Sequence, residues 1–209
     1  MIKVIAFDVW QTLADYPFNL YEKVLEISKL PMTLREFILK KTEIEVSQNS
    51  DDKSRFLEKM KVMGVKDKNI LSKIENLYSE AHDSIFIYED VIETLNYLKN
   101  KGFILVLITN VDRYAHEKVI SLFPKDMFDT VIASYDVGFK KPNKDIFLKL
   151  SDKYGLDGNS IMMVGDSEDA DILPSKKLGW KTVFINRLGK KCKFADYNIS
   201  SLRELKIIF

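Results

Sequence analysis

The sequence predicts a doubly wound α/β fold, a parallel sheet covered by helices on both faces, with a helical bundle inserted near its start. Three observations lead there. Short runs rich in β-branched and apolar residues recur at 2–7, 103–108, 130–133, 161–164 and 182–185. Stretches with the 3.6-residue period of a helix lie between the later runs, and this alternation is the pattern of a parallel sheet. Between residues 14 and 89 the alternation stops, and the segment reads as helix throughout.

Taken in order, 2–7 is too short for a helix and apolar on both faces, so it reads as a buried strand delivering Asp8 at its end. The insertion divides into amphipathic segments at 20–30, 34–46, 53–63 and 69–84, separated at Pro31, Ser50-Asp51 and Gly64, with no convincing strand. Helices follow at 91–101, 114–123, 144–154 and 169–178; Gly102, Gly155 and Gly179 stand where helix C-caps are expected. The expected division is an α/β core of 1–13 and 90–209 and a helical domain of 14–89.

Composition excludes several classes. The 32 basic and 31 acidic side chains leave a net charge of +1, which offers no footprint for nucleic acid or anionic lipid. A single cysteine, Cys192, allows no disulfide within the chain and fits a reducing compartment. No apolar run approaches the ~18 residues of a membrane span. Met1-Ile2-Lys3 leads straight into a core strand rather than a signal peptide, so a cytoplasmic location is expected. A chain of 209 residues buries roughly 70% of its unfolded surface and needs no staple.

The chemistry is expected beyond the carboxyl ends of the strands. The first strand runs into Asp8-Val9-Trp10-Gln11-Thr12-Leu13, the second into Thr109-Asn110, and the fourth into Gly165-Asp166-Ser167. Lys141-Pro142 follows the third strand, and Asp171 lies one turn into the helix after the fourth. Carboxylates, a lysine and a threonine hydroxyl can together hold a hard divalent cation such as Mg²⁺ and an anion. An Asp can also act as a nucleophile. An unpaired charge ending an apolar strand would be costly without a metal or a cation, which argues against a purely structural role for Asp8 and Asp166.

These four motifs, in this order and over essentially the whole chain, resemble the haloacid dehalogenase (HAD) superfamily. The helical insertion after the first motif is similar to the small cap of its phosphoglycolate-phosphatase-like and dehalogenase-like branch. The resemblance implies a Rossmann-like core and a set of roles. Asp8 would be the nucleophile, Thr109 would hydrogen-bond the transferring group, and Lys141 would neutralise charge on nucleophile and substrate. Asp8, Asp166 and the backbone carbonyl of Trp10 would hold Mg²⁺, with Asp171 orienting Lys141 or a metal-bound water. Backbone amides around Val9 and Asn110 would contact the phosphate. The substrate would be a small phosphorylated molecule, with no nucleic acid or membrane partner; the oligomeric state is not legible.

One position departs from the family pattern. Most family phosphatases carry a second Asp two residues after the nucleophile, which protonates the leaving group and then activates water; here Trp10 stands there. An indole N–H only donates and does not titrate near neutral pH, so it cannot replace that group. Gln11 likewise stands where the family usually has glycine. Haloacid dehalogenases usually carry Tyr at the Trp10 position, which makes 2-haloacid dehalogenation the alternative. They typically lack the acidic later motif, however, and Asp166 favours the phosphatase. The third reading is a weak or inactive protein that binds a phosphorylated ligand or a partner. His82 and His116 read as packing or surface residues, and Cys192 as part of an exposed basic loop.

Overall fold

The run VIAF has no polar face to offer water, and the fold surrounds it. β1 (Val4–Phe7) is at 0% exposure throughout and pairs in parallel on both edges. The computed structural model describes residues 1–44, 52–187 and 189–209. After β1 come β2 (Ala14–Asp15), α1 (Leu20–Ser28), α2 (Leu34–Glu43), α3 (Asp52–Val62), α4 (Lys68–Asp83) and β3 (Phe86–Ile87). The chain continues through α5 (Val91–Asn100), β4 (Ile104–Thr109), α6 (Arg113–Ile120), β5 (Thr130–Ala133), α7 (Ser134–Val137) and α8 (Lys144–Tyr154). It ends with β6 (Ile161–Gly165), α9 (Leu173–Lys177), β7 (Lys181–Ile185), β8 (Tyr197–Ile199) and α10 (Leu205–Ile208).

Six strands form one sheet in the order β5-β4-β1-β6-β7-β8, every neighbouring pair parallel. Parallel strands need crossover connections, and α5, α8 and α9 supply helical cover against β4, β5 and β7. Val4, Ala6, Val106, Ile108, Ile161 and Met163 from the sheet pack with Ile146, Phe147 and Leu150 of α8 into one core. α8 is bounded as its sequence requires: the Asn143 side chain accepts from the Asp145 amide at 2.9 Å, and Gly155 closes the helix in the left-handed region. The doubly wound fold class is therefore the one the sequence predicts.

The chain forms two compact units, one of residues 1–15, 87–112 and 119–209 and one of residues 16–86 and 113–118. The second unit is helical and has its own core, with Leu20 and Val24 from α1, Phe37 from α2, Phe56 and Met60 from α3, and Ile74 and Ala81 from α4. Thr33 and Glu36 make a reciprocal capping box at the start of α2. In the same unit the Tyr78 carbonyl can only accept, so His82 donates to it from Nδ1 at 2.7 Å, and its Nε2 lies 3.1 Å from the Tyr16 hydroxyl. His82 is thus a packed, satisfied residue.

Four sequence expectations need correction. The insertion is not free of strand: β2 and β3, two residues each, make a small sheet of their own. The large sheet has a sixth strand, β8, which shows no pattern because only Ile199 of its three residues is buried. The helix expected at 169–178 is a π turn, Glu168–Ile172, followed by α9. Cys192 is not exposed: it is 2% accessible, its thiol donates to Glu168 Oε2 at 3.2 Å, and burial pushes its pKa up. The last two residues of the 34–46 segment and the Ser50-Asp51 divider lie outside the described residues. Among the described residues, no helix is long and apolar enough to cross a membrane.

Candidate active site

The strand order places the motif-bearing ends side by side. From β1 the sheet grows outward through β4 to β5 on one side and through β6 to β7 and β8 on the other. Such a reversal opens a crevice beyond the carboxyl ends of the strands. β1 runs into Asp8 there, β4 ends at Thr109, and β6 ends at Gly165 just before Asp166. The Asp8 amide donates to the Val164 carbonyl at 2.9 Å, which ties the carboxylate's backbone to β6.

Lys141 joins two of the carboxylates. Its Nζ donates to Asp8 Oδ1 at 2.5 Å and to Asp171 Oδ1 at 2.6 Å, with side-chain exposures of 3%, 9% and 0% for the three. Asp171 Oδ2 takes the Ser167 amide at 3.1 Å. Ser167 Oγ accepts from the Ala170 amide and begins the turn that carries Asp171. Asn110 fixes the lysine from its backbone side: Oδ1 accepts from the Lys141 amide at 2.8 Å, and Nδ2 donates to the Lys141 carbonyl at 2.9 Å. The Asn110 side chain is therefore committed to Lys141, leaving the Asn110 backbone for any ligand. Val9 is fully buried, and Trp10 is partly exposed and bridges to Ala14 through its backbone.

Two buried carboxylates and the half-buried Asp166 accompany one ammonium group, and the ionisation reflects it. Burial, reinforced by the charges of Asp8 and Asp171, pushes Asp166 up to about 8. Burial likewise lifts Asp171, to about 6, although the Lys141 charge pulls the other way. For Lys141 burial disfavours the charged form, but Asp171 and Asp8 outweigh it and hold its pKa above the ordinary lysine value. The lysine stays charged across the whole neutral range.

The donor set fits a hard divalent cation. Asp8, Asp166 and Asp171 each present an oxygen within 4.8 Å of the others. Asp171 is already engaged through both oxygens, so Asp8 and Asp166 are the pair suited to a small ion that keeps several waters. A divalent cation would also neutralise the excess negative charge that lifts Asp166. Beside them, the Thr109 hydroxyl is buried with no hydrogen-bond partner. Such a group costs ~1–3 kcal/mol unless something binds it, which suits a donor aimed at an anion.

Asp8, Lys141, Asp166 and Asp171, named from the sequence, thus form one cluster. Missed were the Asn110 side-chain brace and the Ser167 amide, as well as Arg187 and Tyr88, which hold the loop after Asp8 through the Thr12 and Leu13 carbonyls. Only Ser167 carried a legible signal, a serine at a strand-to-helix turn.

Comparison with known proteins identifies the family. Residues 5–185 match the family described as haloacid dehalogenase-like hydrolase. A glyceraldehyde 3-phosphate phosphatase of Methanocaldococcus jannaschii is 37% identical over 123 residues, 56% of this chain and 54% of that protein. The chain thus spans about half the length of that relative. A glyceraldehyde 3-phosphate phosphatase of Methanothermobacter thermautotrophicus is 29% identical over 195 residues, covering 89% of this chain and 86% of the other. Among solved structures, a HAD phosphatase from Thermococcus onnurineus superposes with a TM-score of 0.70 at 28% identity, over 99% of this chain and 97% of that one.

Proposed function

Because the chain belongs to the haloacid dehalogenase-like hydrolase family, we propose that it is a Mg²⁺-dependent phosphatase of a small phosphorylated metabolite, working through an aspartyl-phosphate on Asp8. The observation that carries this reading is the buried Asp8–Lys141–Asp171 array with the Asp166 carboxyl beside it. The phosphatase names of the two relatives above support it.

Asp8, Asp166 and the Trp10 carbonyl would hold the cation. When bound, it supplies Lewis-acid neutralisation of phosphoryl oxygens. Lys141 holds the Asp8 carboxylate in position, and Asp171 keeps Lys141 in place. The Thr109 hydroxyl and the amides around Val9 and Asn110 donate to the phosphoryl oxygens. A carboxylate oxygen of Asp8 attacks phosphorus; the new P–O bond forms as the ester P–O bond breaks, and that electron pair leaves on the alcohol oxygen, which takes a proton from solvent. Water then attacks phosphorus and gives up a proton to solvent, the acyl phosphate bond breaks, and Asp8 and inorganic phosphate are released. Trp10 cannot protonate the departing alcohol, and missing general acid–base help costs roughly 10²–10⁴-fold. Weakly basic leaving groups are therefore favoured.

The test is a substrate panel. Wild type is expected to hydrolyse p-nitrophenyl phosphate with Mg²⁺ and Asp8→Asn to be at background; equal rates would sink the proposal. Trp10→Asp is expected to raise turnover of an alkyl phosphate by about tenfold or more, since the acid/base group is restored. Trp10 also favours a second reading, 2-haloacid dehalogenation, because a departing halide needs no proton. Chloride released from a 2-chloro acid in EDTA would establish that reading in place of the first.

A further inference from the structure

The loop after Asp8 does not hold its shape by local preference alone. The Val9 carbonyl accepts from the Leu13 and Ala14 amides at 2.8 and 2.9 Å, and the Gln11 amide donates to the Ala14 carbonyl at 2.8 Å. Gln11 sits at φ 56°, the left-handed region, which disfavours a residue with a Cβ by roughly 1–2 kcal/mol. Contacts from distant parts of the chain secure the far side of this turn. Arg187 Nη2 donates to the Thr12 carbonyl at 2.9 Å and to Asp90 Oδ1 at 3.0 Å, while Nη1 donates to Asp90 Oδ2 at 3.0 Å. The guanidinium lies 3.6 Å above the centre of the Tyr88 ring. Tyr88 in turn donates from its amide to the Leu13 carbonyl at 3.1 Å and from its hydroxyl to Asp15 Oδ2 at 3.0 Å.

We propose that Arg187 is a positioning residue for divalent-cation binding: with Tyr88 and Asp90 as its base, it clamps the loop so that Asp8 and the Trp10 carbonyl keep the spacing the ion requires. The inference rests on the phosphatase reading and extends it to a residue that touches neither metal nor substrate. The clamp is itself rigid. Asp90 is 2% exposed and also accepts from Ser201 Oγ at 2.7 Å and the Leu202 amide at 2.8 Å, so its two oxygens present a fixed fork to Arg187. Only a planar, multiply donating group seated over the Tyr88 ring meets Asp90 and Thr12 together; an ammonium group is a point donor. The Val9, Thr12, Leu13 and Ala14 carbonyls are thereby all engaged, and they bracket Trp10 and Gln11 on both sides.

The experiment titrates Mg²⁺ alone into wild type, Arg187→Ala, Arg187→Lys and Leu150→Ala, by calorimetry and by the rise in melting temperature. Turnover of p-nitrophenyl phosphate is followed against Mg²⁺ in parallel. Residues that orient metal ligands typically change metal affinity by about 10–100-fold, so Arg187→Ala is expected to raise the Mg²⁺ dissociation constant by about tenfold or more. Arg187→Lys should fall between it and wild type. Turnover at saturating Mg²⁺ should stay within about threefold, because Arg187 takes no part in the steps that break the ester. Leu150→Ala, a core truncation, lowers stability without moving Mg²⁺ affinity, which separates positioning from general loosening. If Arg187→Ala fails to fold, Arg187→Lys decides on the same readout. Folded Arg187 variants with wild-type Mg²⁺ affinity overturn the proposal, as does a loss of turnover that saturating Mg²⁺ leaves in place. A wild type that ignores Mg²⁺ overturns the phosphatase reading and this inference with it.

Discussion

At Gly165 one added methyl group would collide with the site. A Cβ there would lie 2.4 Å from Asp171 Oδ2, and that carboxylate is fully buried and held by Lys141 and the Ser167 amide. Gly165→Ala should therefore push Asp171 off Lys141, at a cost of about 1–3 kcal/mol as for other overpacked positions. Urea unfolding reads the stability, and the initial rate on an aryl phosphate should fall by about tenfold or more, since misplaced catalytic groups lose rate steeply. Unchanged activity would mean that Asp171 does not orient the lysine. Asp8, Thr109 and Asp166 were legible because each is a polar residue following an apolar run, where burial demands a partner. Lys141 was legible through its place before Pro142. The Asn110 brace was not, because its hydrogen bonds reach across 31 residues to a backbone no local pattern marks.

Among the elements, the entry to α5 depends on a buried charge. Burial pushes Asp90 toward the neutral form, but hydrogen bonds from Arg187, Ser201 and Leu202 prevail and hold its carboxyl below the usual carboxylate range. A group depressed on folding contributes stability fully above its unfolded pKa, ~3.9, and loses it as pH falls through the lower folded value. Asp90→Asn is thus expected to cost about 3 kcal/mol near pH 7, the low end for a broken buried pair because Arg187 keeps some contact with solvent. The gap to wild type should narrow below about pH 4, as chemical denaturation across pH 3–8 would show; a gap independent of pH would contradict it. The long elements were read correctly for a physical reason: a buried parallel strand must be apolar on both faces and a covering helix on one. β2 and β3 are too short to show a period. β8 is an edge strand with two exposed residues of three. The π turn at Glu168–Ile172 shares its apolar spacing with the helix that follows.

On the scale of the whole molecule, each of the two units has a hydrophobic core of its own. Phe37 is at 0% exposure in the helical unit's core, so Phe37→Ala should destabilise that unit by about 3–5 kcal/mol, the usual range for a buried aromatic. Hydrogen exchange should then accelerate at 16–44 and 52–86 while β1, β4 and β6 keep their protection; uniform loss in both units would argue against separate cores. Sequence legibility at this scale was high for the α/β unit and partial for the boundary. Residues 113–118 group with the helical unit, where Tyr114 packs against Tyr78 and His82 and Lys118 pairs with Asp83. The strand order carries a further consequence, for the birth of the molecule. Val4 pairs with Ile104 and Ile161, so β1 has no neighbour in the large sheet until the chain has been made at least as far as residue 104. Closing such long loops delays pairing, since their entropy is lost before any contact is gained. Through that interval an all-apolar segment waits unpaired, a candidate for chaperone capture. Asp8 stays without its lysine partner until Lys141 has been synthesised, so the Asp8–Lys141–Asp171 array cannot assemble before residue 171 is made.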